Sequence, residues 1–248
     1  MKRFIQWLMA GVAAFATAQA AEVRVAVAAN FTAPMKQIAQ SFEQETGHKS
    51  VLSFGSTGNL YAQIRNGAPF DALLSADDET PRRLEQEGLA LAGTRFTYAI
   101  GRLVLWSPLP DFVDAKGDVL RKGTWARLAV ANPKLAPYGA AAMETLDKLG
   151  LTQVVQPRLV QGENIAQTYQ FVMTGNAPLG FVALSQVVSG GKLTHGSAWI
   201  VPDNLHAPIQ QEAVLLSRSQ GNPAAQALMA HLRSDKVRAL IQGMGYQR

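Results

Sequence analysis

Short β-rich runs alternate with helical runs along this chain, and a glycine closes most of the helices; no other sequence feature narrows the possible folds as much. The alternation marks an α/β protein with largely parallel sheets. Residues 22–28 (EVRVAVA) alternate and predict a first strand, followed by a helix over 33–46 with Met35, Ile38, Ala39 and Phe42 at helical spacing and Gly47 as its stop. A second strand is expected at 49–54, a helix at 58–66 ended by Gly67, a third strand at 70–75, and a helix at 80–87 stopped by Gly88. A second set follows, with strands at 103–107, 127–131, 158–160 and 179–184 and helices at about 139–149 and 165–173. Asn164 stands where the last of these helices needs an N-cap. A run at 211–216 and a helix across 223–244 remain. Two βα sets with a leftover strand and helix predict two lobes, with boundaries near residues 100 and 206, and the leftover elements fit either lobe.

Composition excludes several classes. With 48% hydrophobic and 17% charged residues, the chain is neither disordered nor collagen-like. It has no cysteine, so a disulfide framework, a thiolate metal site and a cysteine nucleophile are ruled out. Residues 1–20 read as a secretory leader. Lys2 and Arg3 precede an apolar core from Trp7 to Ala16, and Ala18-Gln19-Ala20 supplies the small-x-small cleavage pattern. The same stretch is too diluted by Gln6, Thr17 and Gln19 for a spanning helix. Lys2 and Arg3 would leave with the leader, so 23 basic residues become 21 against 18 acidic ones, a net charge of +3. The cations are scattered and no basic stripe interleaves with aromatics, so no nucleic-acid partner is expected.

Four strand-to-helix junctions are small, polar or glycine-containing where a helix begins: 29–32 (ANFT), 55–59 (GSTGN), 136–139 (APYG) and 162–165 (GENI). A helix start presents unpaired N–H groups and a partial positive charge, so it attracts an anion without a cationic side chain. Each junction taken alone is an ordinary cap or turn. Two in each lobe, able to face one another across a cleft, point to anion binding. The spacing fits neither a mononucleotide P-loop nor a dinucleotide fingerprint, and Ser56-Thr57-Gly58 is one residue short of the G-x-S-x-G elbow. The four histidines, His48, His195, His206 and His231, are too dispersed for a metal site, and Asp77-Asp78-Glu79 reads as a solvated helix start. No bare-cation site is expected.

The stretches VAVAANFTAPMKQIAQSFEQETGHK, SFGSTGNLYAQIRNGAPFDALLSAD, LAVANPKLAPYGAAAMETLDKLG and QTYQFVMTGNAPLGFVALSQV resemble the periplasmic molybdate-binding proteins of bacterial molybdate ABC importers. The likeness runs from about Val23 to the C-terminus. It implies a two-lobed type II periplasmic binding protein fold, each lobe a mixed, mostly parallel sheet flanked by helices, with the ligand in the interlobe cleft. Lobe 1 would be 21–102 plus 206–248 and lobe 2 would be 103–205.

The resemblance further implies that molybdate or tungstate is held by neutral donors, with no cofactor and no catalysis, and is delivered to an inner-membrane ABC permease. It implies an exported, periplasmic chain acting as a monomer. Matched by position, Asn30 falls where the family often has a serine that contacts the anion, and Ser56 falls on the second-loop serine. Tyr138 and Ile165 fall on backbone N–H donors. Ala183 occupies a position where some members carry a tyrosine hydroxyl, leaving the N–H of Ala29 or the side chain of Tyr138 as candidate replacements. The competing readings are a carrier of another oxyanion, such as sulfate or phosphate, a periplasmic hydrolase using Ser56, and a structural or signalling module with an empty cleft.

Overall fold

The computed structural model describes residues 20–247, so the leader expected at 1–20 lies outside the described residues except for Ala20. In chain order the strands are β1 (Glu22–Ala28), β2 (Lys49–Gly55), β3 (Ala72–Leu74), β4 (Phe96–Gly101), β5 (Leu103–Ser107), β6 (Leu128–Ala131), β7 (Leu159–Gly162), β8 (Leu179–Ala183), β9 (Val188–Ser189), β10 (Lys192–Leu193), β11 (Ser197–Ile200) and β12 (Ile209–Leu215). The helices are α1 (Thr32–Thr46), α2 (Thr57–Arg65), α3 (Glu79–Gln86), α4 (Val119–Lys122), α5 (Pro137–Lys148), α6 (Thr152–Val155), α7 (Ile165–Met173), α8 (Pro223–Leu232) and α9 (Asp235–Gly243).

Two five-stranded sheets organise the molecule, in the orders β2-β1-β3-β12-β4 and β11-β5-β8-β6-β7, and β9 and β10 form a separate hairpin. Both sheets share one plan. In the first, β1 pairs in parallel with β2 and β3; in the second, β6 pairs in parallel with β7 and β8. The antiparallel strands are those next to the crossings. Strand β12 lies between β3 and β4, and β5 lies between β8 and β11. The chain leaves the first sheet at β4, enters the second at β5 after the single residue Arg102, and returns between β11 and β12.

Each sheet is covered on both faces, which accounts for the nearly unbroken apolar runs in its central strands. Side chains alternate across a strand. Accordingly, Leu103 and Leu105 of β5 enter one apolar cluster, and Val104 and Trp106 enter the other. In β1, Val23, Val25 and Val27 pack beneath α1 and α8, and Ala26 faces Leu60 and Leu84. The larger cluster of the second sheet also takes in Ala28, Ala29 and Ala76 of the first, so the two halves pack directly where the strands end.

Besides the short helices α4 and α6 and the β9–β10 hairpin, which were not expected, the structure departs from the sequence expectation in its main elements. The helix expected across 223–244 is two helices: Ser234 breaks it, and its side chain accepts from the N–H of Val237 to cap α9. Strand β3 is only three residues long, because Asp71 turns back to bond β1, its N–H meeting the Arg24 carbonyl and its carboxylate the Arg24 N–H. Strands β4 and β11 were not anticipated. Both are edge strands, and each is held by partners distant in sequence.

Candidate functional site

The four junctions converge. A small cavity of about 10 Å³ lies between the sheets, and Ala29, Asn30, Ser56, Tyr138, Asn164 and Ile165 are among its walls. The four residues singled out from the sequence, Asn30, Ser56, Tyr138 and Ile165, are all buried there. None of the lining residues carries a charge. Such a site offers neutral donors and dipoles with no carboxylate to repel an anion, so it suits a ligand that accepts hydrogen bonds.

Each junction has its own local cause. Ser56 is the extended residue before α2, and its hydroxyl takes no part in capping the helix. Its Oγ is buried and has no hydrogen-bond partner among the described residues. Pro137 opens α5, where its missing N–H costs nothing and its fixed φ suits a first turn. The following Tyr138 N–H meets no carbonyl, because a helix has none one turn back from its start. Asn164 caps α7 as expected, its side chain accepting from Ala166 and Gln167 at 3.0 Å each, which leaves the Ile165 N–H pointing out of the helix end. The 3₁₀ turn Ala29–Phe31 carries β1 into α1 and brings Asn30 to the wall.

The side chain of Asn30 is committed elsewhere. Its Nδ2 donates to Gln211 Oε1 at 2.8 Å and to the Tyr246 hydroxyl at 3.1 Å. Its own carbonyl accepts from Tyr246 at 2.8 Å and from Ser185 Oγ at 3.2 Å. The amide therefore does not substitute for a serine hydroxyl, and what Asn30 can still offer a ligand is its backbone N–H. The Tyr138 hydroxyl, one of the two candidates to compensate for Ala183, is bonded to Gln211 Nε2 at 3.2 Å. Ala29, the other candidate, also lines the cavity, with its carbonyl accepting from the Thr32 hydroxyl at 2.8 Å. The N–H of Ala183 itself is held by Gln186 Oε1 at 2.9 Å.

Sequence reasoning missed Gln211, Tyr98 and Tyr246, which form the floor of this network. Their contacts span 23 to 216 residues of chain, so no local spacing signals them. Burial lifts the phenols of Tyr98, Tyr138 and Tyr246 well above the ordinary tyrosine range, so all three remain neutral.

Neither Gly55 nor Gly58 has a positive φ, so neither is required by a left-handed turn. Gly58 instead permits a close approach. Its N–H donates to the Leu135 carbonyl at 2.9 Å, and a Cβ there would lie 3.0 Å from Leu135 Cα. Asn59 beside it donates to Glu163 Oε1 at 2.5 Å. Both bonds run from the α2 start to loops of the second sheet.

Hydrolytic and metal chemistry find no support in the described residues. Ser56 has no general base against it. The histidines are engaged elsewhere: His48 with the Ala21 N–H, His195 with Thr194, His206 with the Ala207 carbonyl, and His231 with Ser41 and Glu45. Among the described residues, no three His, Asp or Glu side chains come together as a metal site. Asp77 accepts from Ser75 Oγ and from the N–H and hydroxyl of Thr80, and burial raises its pKa. It lines a wider groove of about 480 Å³ that shares Thr57, Ala76, Ala136 and Pro137 with the cavity. Asp78, Glu79 and Glu144 line it too, with Arg83 and Lys134, so this groove carries charges of both signs, unlike the cavity.

Comparison with known proteins gives a consistent result. Residues 23–247 match the family of bacterial extracellular solute-binding proteins. The molybdate-binding protein ModA of Azotobacter vinelandii is 58% identical over 246 residues, covering 99% of this chain and 97% of its own. The ModA of Rhodobacter capsulatus is 47% identical, covering 99% of each chain. The solved structure of the Azotobacter vinelandii periplasmic molybdate-binding protein superposes with a TM-score of 0.87 at 41% identity, covering 91% of this chain and 99% of that one.

Proposed function

Because the chain belongs to the ModA family of bacterial extracellular solute-binding proteins, we propose that it captures molybdate, and tungstate with it, between its two lobes and delivers the anion to an inner-membrane ABC permease. It is a carrier and not an enzyme, and the anion is its cargo rather than a cofactor. The observation that carries the reading is the buried Ser56 hydroxyl, which has no partner among the described residues and stands in a wall of uncharged residues.

In this reading Ser56 donates through its hydroxyl, and Asn30, Tyr138 and Ile165 donate through their backbone N–H groups. A tetrahedral dianion has four acceptor oxygens and no proton. Donors alone therefore satisfy it, whereas a protonated phosphate is best met by a carboxylate acceptor, and no carboxylate lines the wall. Hydrogen bonds to a charged group contribute about 1.5–3 kcal/mol each, enough for several to offset desolvation and ordering. Molybdate and sulfate share charge and shape, so discrimination between them falls to the size of the closed cavity.

Lobe 1 comprises residues 21–102 and 206–248, lobe 2 comprises 103–205, and the chain acts as a monomer. Export by the leader at 1–20 delivers it to the periplasm, where closure around the anion presents the form that the permease recognises.

A thermal melt with molybdate, tungstate, sulfate, phosphate or no ligand tests the proposal. Ligand at about 1,000 times its dissociation constant stabilises by roughly 4 kcal/mol, which raises the midpoint by roughly 8–16 °C for a protein of this size. The expected result is a large shift with molybdate and tungstate and little with sulfate. A shift with sulfate or phosphate alone overturns the ligand, and no shift with any of them overturns the carrier reading.

A further inference from the structure

Gln211 is fully buried on β12, at the point where the pairing of β12 with β4 shifts register between Gln211 and Glu212. A register shift of this kind re-aims a side chain. Here it directs the amide toward the junction of the lobes. Gln211 Oε1 accepts from Asn30 Nδ2 at 2.8 Å and lies 3.0 Å from the Tyr98 hydroxyl, whose one proton it shares with the Ser75 carbonyl at 2.9 Å, and Nε2 donates to the Tyr138 hydroxyl at 3.2 Å. Tyr246 sets this orientation: its hydroxyl proton goes to the Asn30 carbonyl, so it accepts from Asn30 Nδ2, and that donor nitrogen in turn faces the Gln211 oxygen.

The space for this contact comes from Gly101. A Cβ at that position would lie 2.2 Å from the Tyr138 oxygen and 2.6 Å from Gln211 Nε2. Gly101 ends β4, one residue before the chain crosses to the second sheet. The contact therefore lies beside the crossover between the two sheets, with Gln211 on the first and Tyr138 on the helix that follows β6 of the second.

We propose that Gln211 is a positioning residue for anion capture: its amide clamps Asn30 of one lobe and Tyr138 of the other, so that lobe closure and the alignment of two anion donors occur together. This role rests on the anion-carrier reading. In the open form the Tyr138 hydroxyl leaves with its lobe, while Asn30 keeps its bonds to Gln211 and Tyr246. On closing, the Gln211–Tyr138 bond forms again and fixes the first turn of α5, whose Tyr138 N–H faces the ligand. The bond thus favours the closed form over the open one, and the population shift appears as tighter binding.

The test measures binding and release of sodium molybdate by calorimetry and stopped flow for the wild-type protein, Tyr138→Phe, Gln211→Met and the double variant. Tyr138→Phe removes only the hydroxyl. It is expected to weaken binding about three- to tenfold, through faster release, with the ligand-free melting midpoint nearly unchanged. The double variant is expected to lose less than the product of the two single losses, as partners in one interaction do. If Gln211→Met does not fold, Tyr138→Phe still decides the matter through its release rate. Wild-type affinity and release in Tyr138→Phe overturn the role, and so do losses that multiply independently. A wild-type protein that takes up no molybdate overturns the carrier reading itself, a result distinct from failure of the clamp alone.

Discussion

Ser56 keeps its hydroxyl buried without a partner among the described residues, an arrangement that costs about 1–3 kcal/mol in a folded chain. A residue that met only the needs of folding would not be a serine there, since alanine would fill the same wall without the cost. Ser56→Ala is therefore expected to leave the ligand-free melting midpoint unchanged or slightly raised. Molybdate affinity should fall about 10- to 150-fold, as for loss of one hydrogen bond to a charged group. Calorimetry checks the affinity, and equal affinity for the two proteins would remove Ser56 from the site. Ser56 was legible in the sequence because its signal is local, a small polar residue between a strand and a helix. The side chain of Asn30 was not. Its partners Gln211 and Tyr246 lie 181 and 216 residues away, and only folding shows that its amide is already occupied.

Helix α2 combines two tasks at its start. Its N-cap Ser56 faces the cavity, and its second residue, Gly58, touches Leu135 of the other lobe. Alanine at Gly58 would improve helix propensity by up to about 1 kcal/mol, yet its Cβ would press on the Leu135 backbone when the lobes meet. Gly58→Ala is thus expected to keep or raise the stability of the free protein while weakening molybdate binding by about threefold to tenfold, equivalent to roughly 1 kcal/mol of strain in the closed form. A melt and a titration on the same sample test the opposite signs, and tighter binding would refute the contact's role. Elements with strong periodicity, such as β1, β5 and α7, have in the structure the bounds that the sequence predicts. The edge strands β4 and β11 were illegible, because their pairing partners come from other parts of the chain.

The network of phenols beneath the site belongs to the molecule as a whole, since it draws on both lobes. Burial holds Tyr98, Tyr138 and Tyr246 above the usual tyrosine range. A pKa raised in the folded state makes a contribution to stability that is complete below the unfolded value, about 10, and is lost as pH rises past it, because the unfolded chain then ionises and the folded one does not. Alkaline titration followed by phenolate absorbance is expected to ionise Tyr61 and Tyr169 with the fold intact, and the other three of the five tyrosines only as circular dichroism is lost. Ionisation of all five before unfolding would contradict the buried network. The amino-acid sequence by itself determined the α/β class, the helix starts at the strand ends and the small polar residues that occupy them, because caps, turns and periodicity act over a few residues. Tertiary structure alone decided that four of those starts meet in one uncharged cavity, that Asn30 faces inward to Gln211, and that Gly58 serves an approach between lobes rather than a turn. Those outcomes depend on contacts between segments far apart in the chain, whose geometry exists only once both sheets have formed and packed.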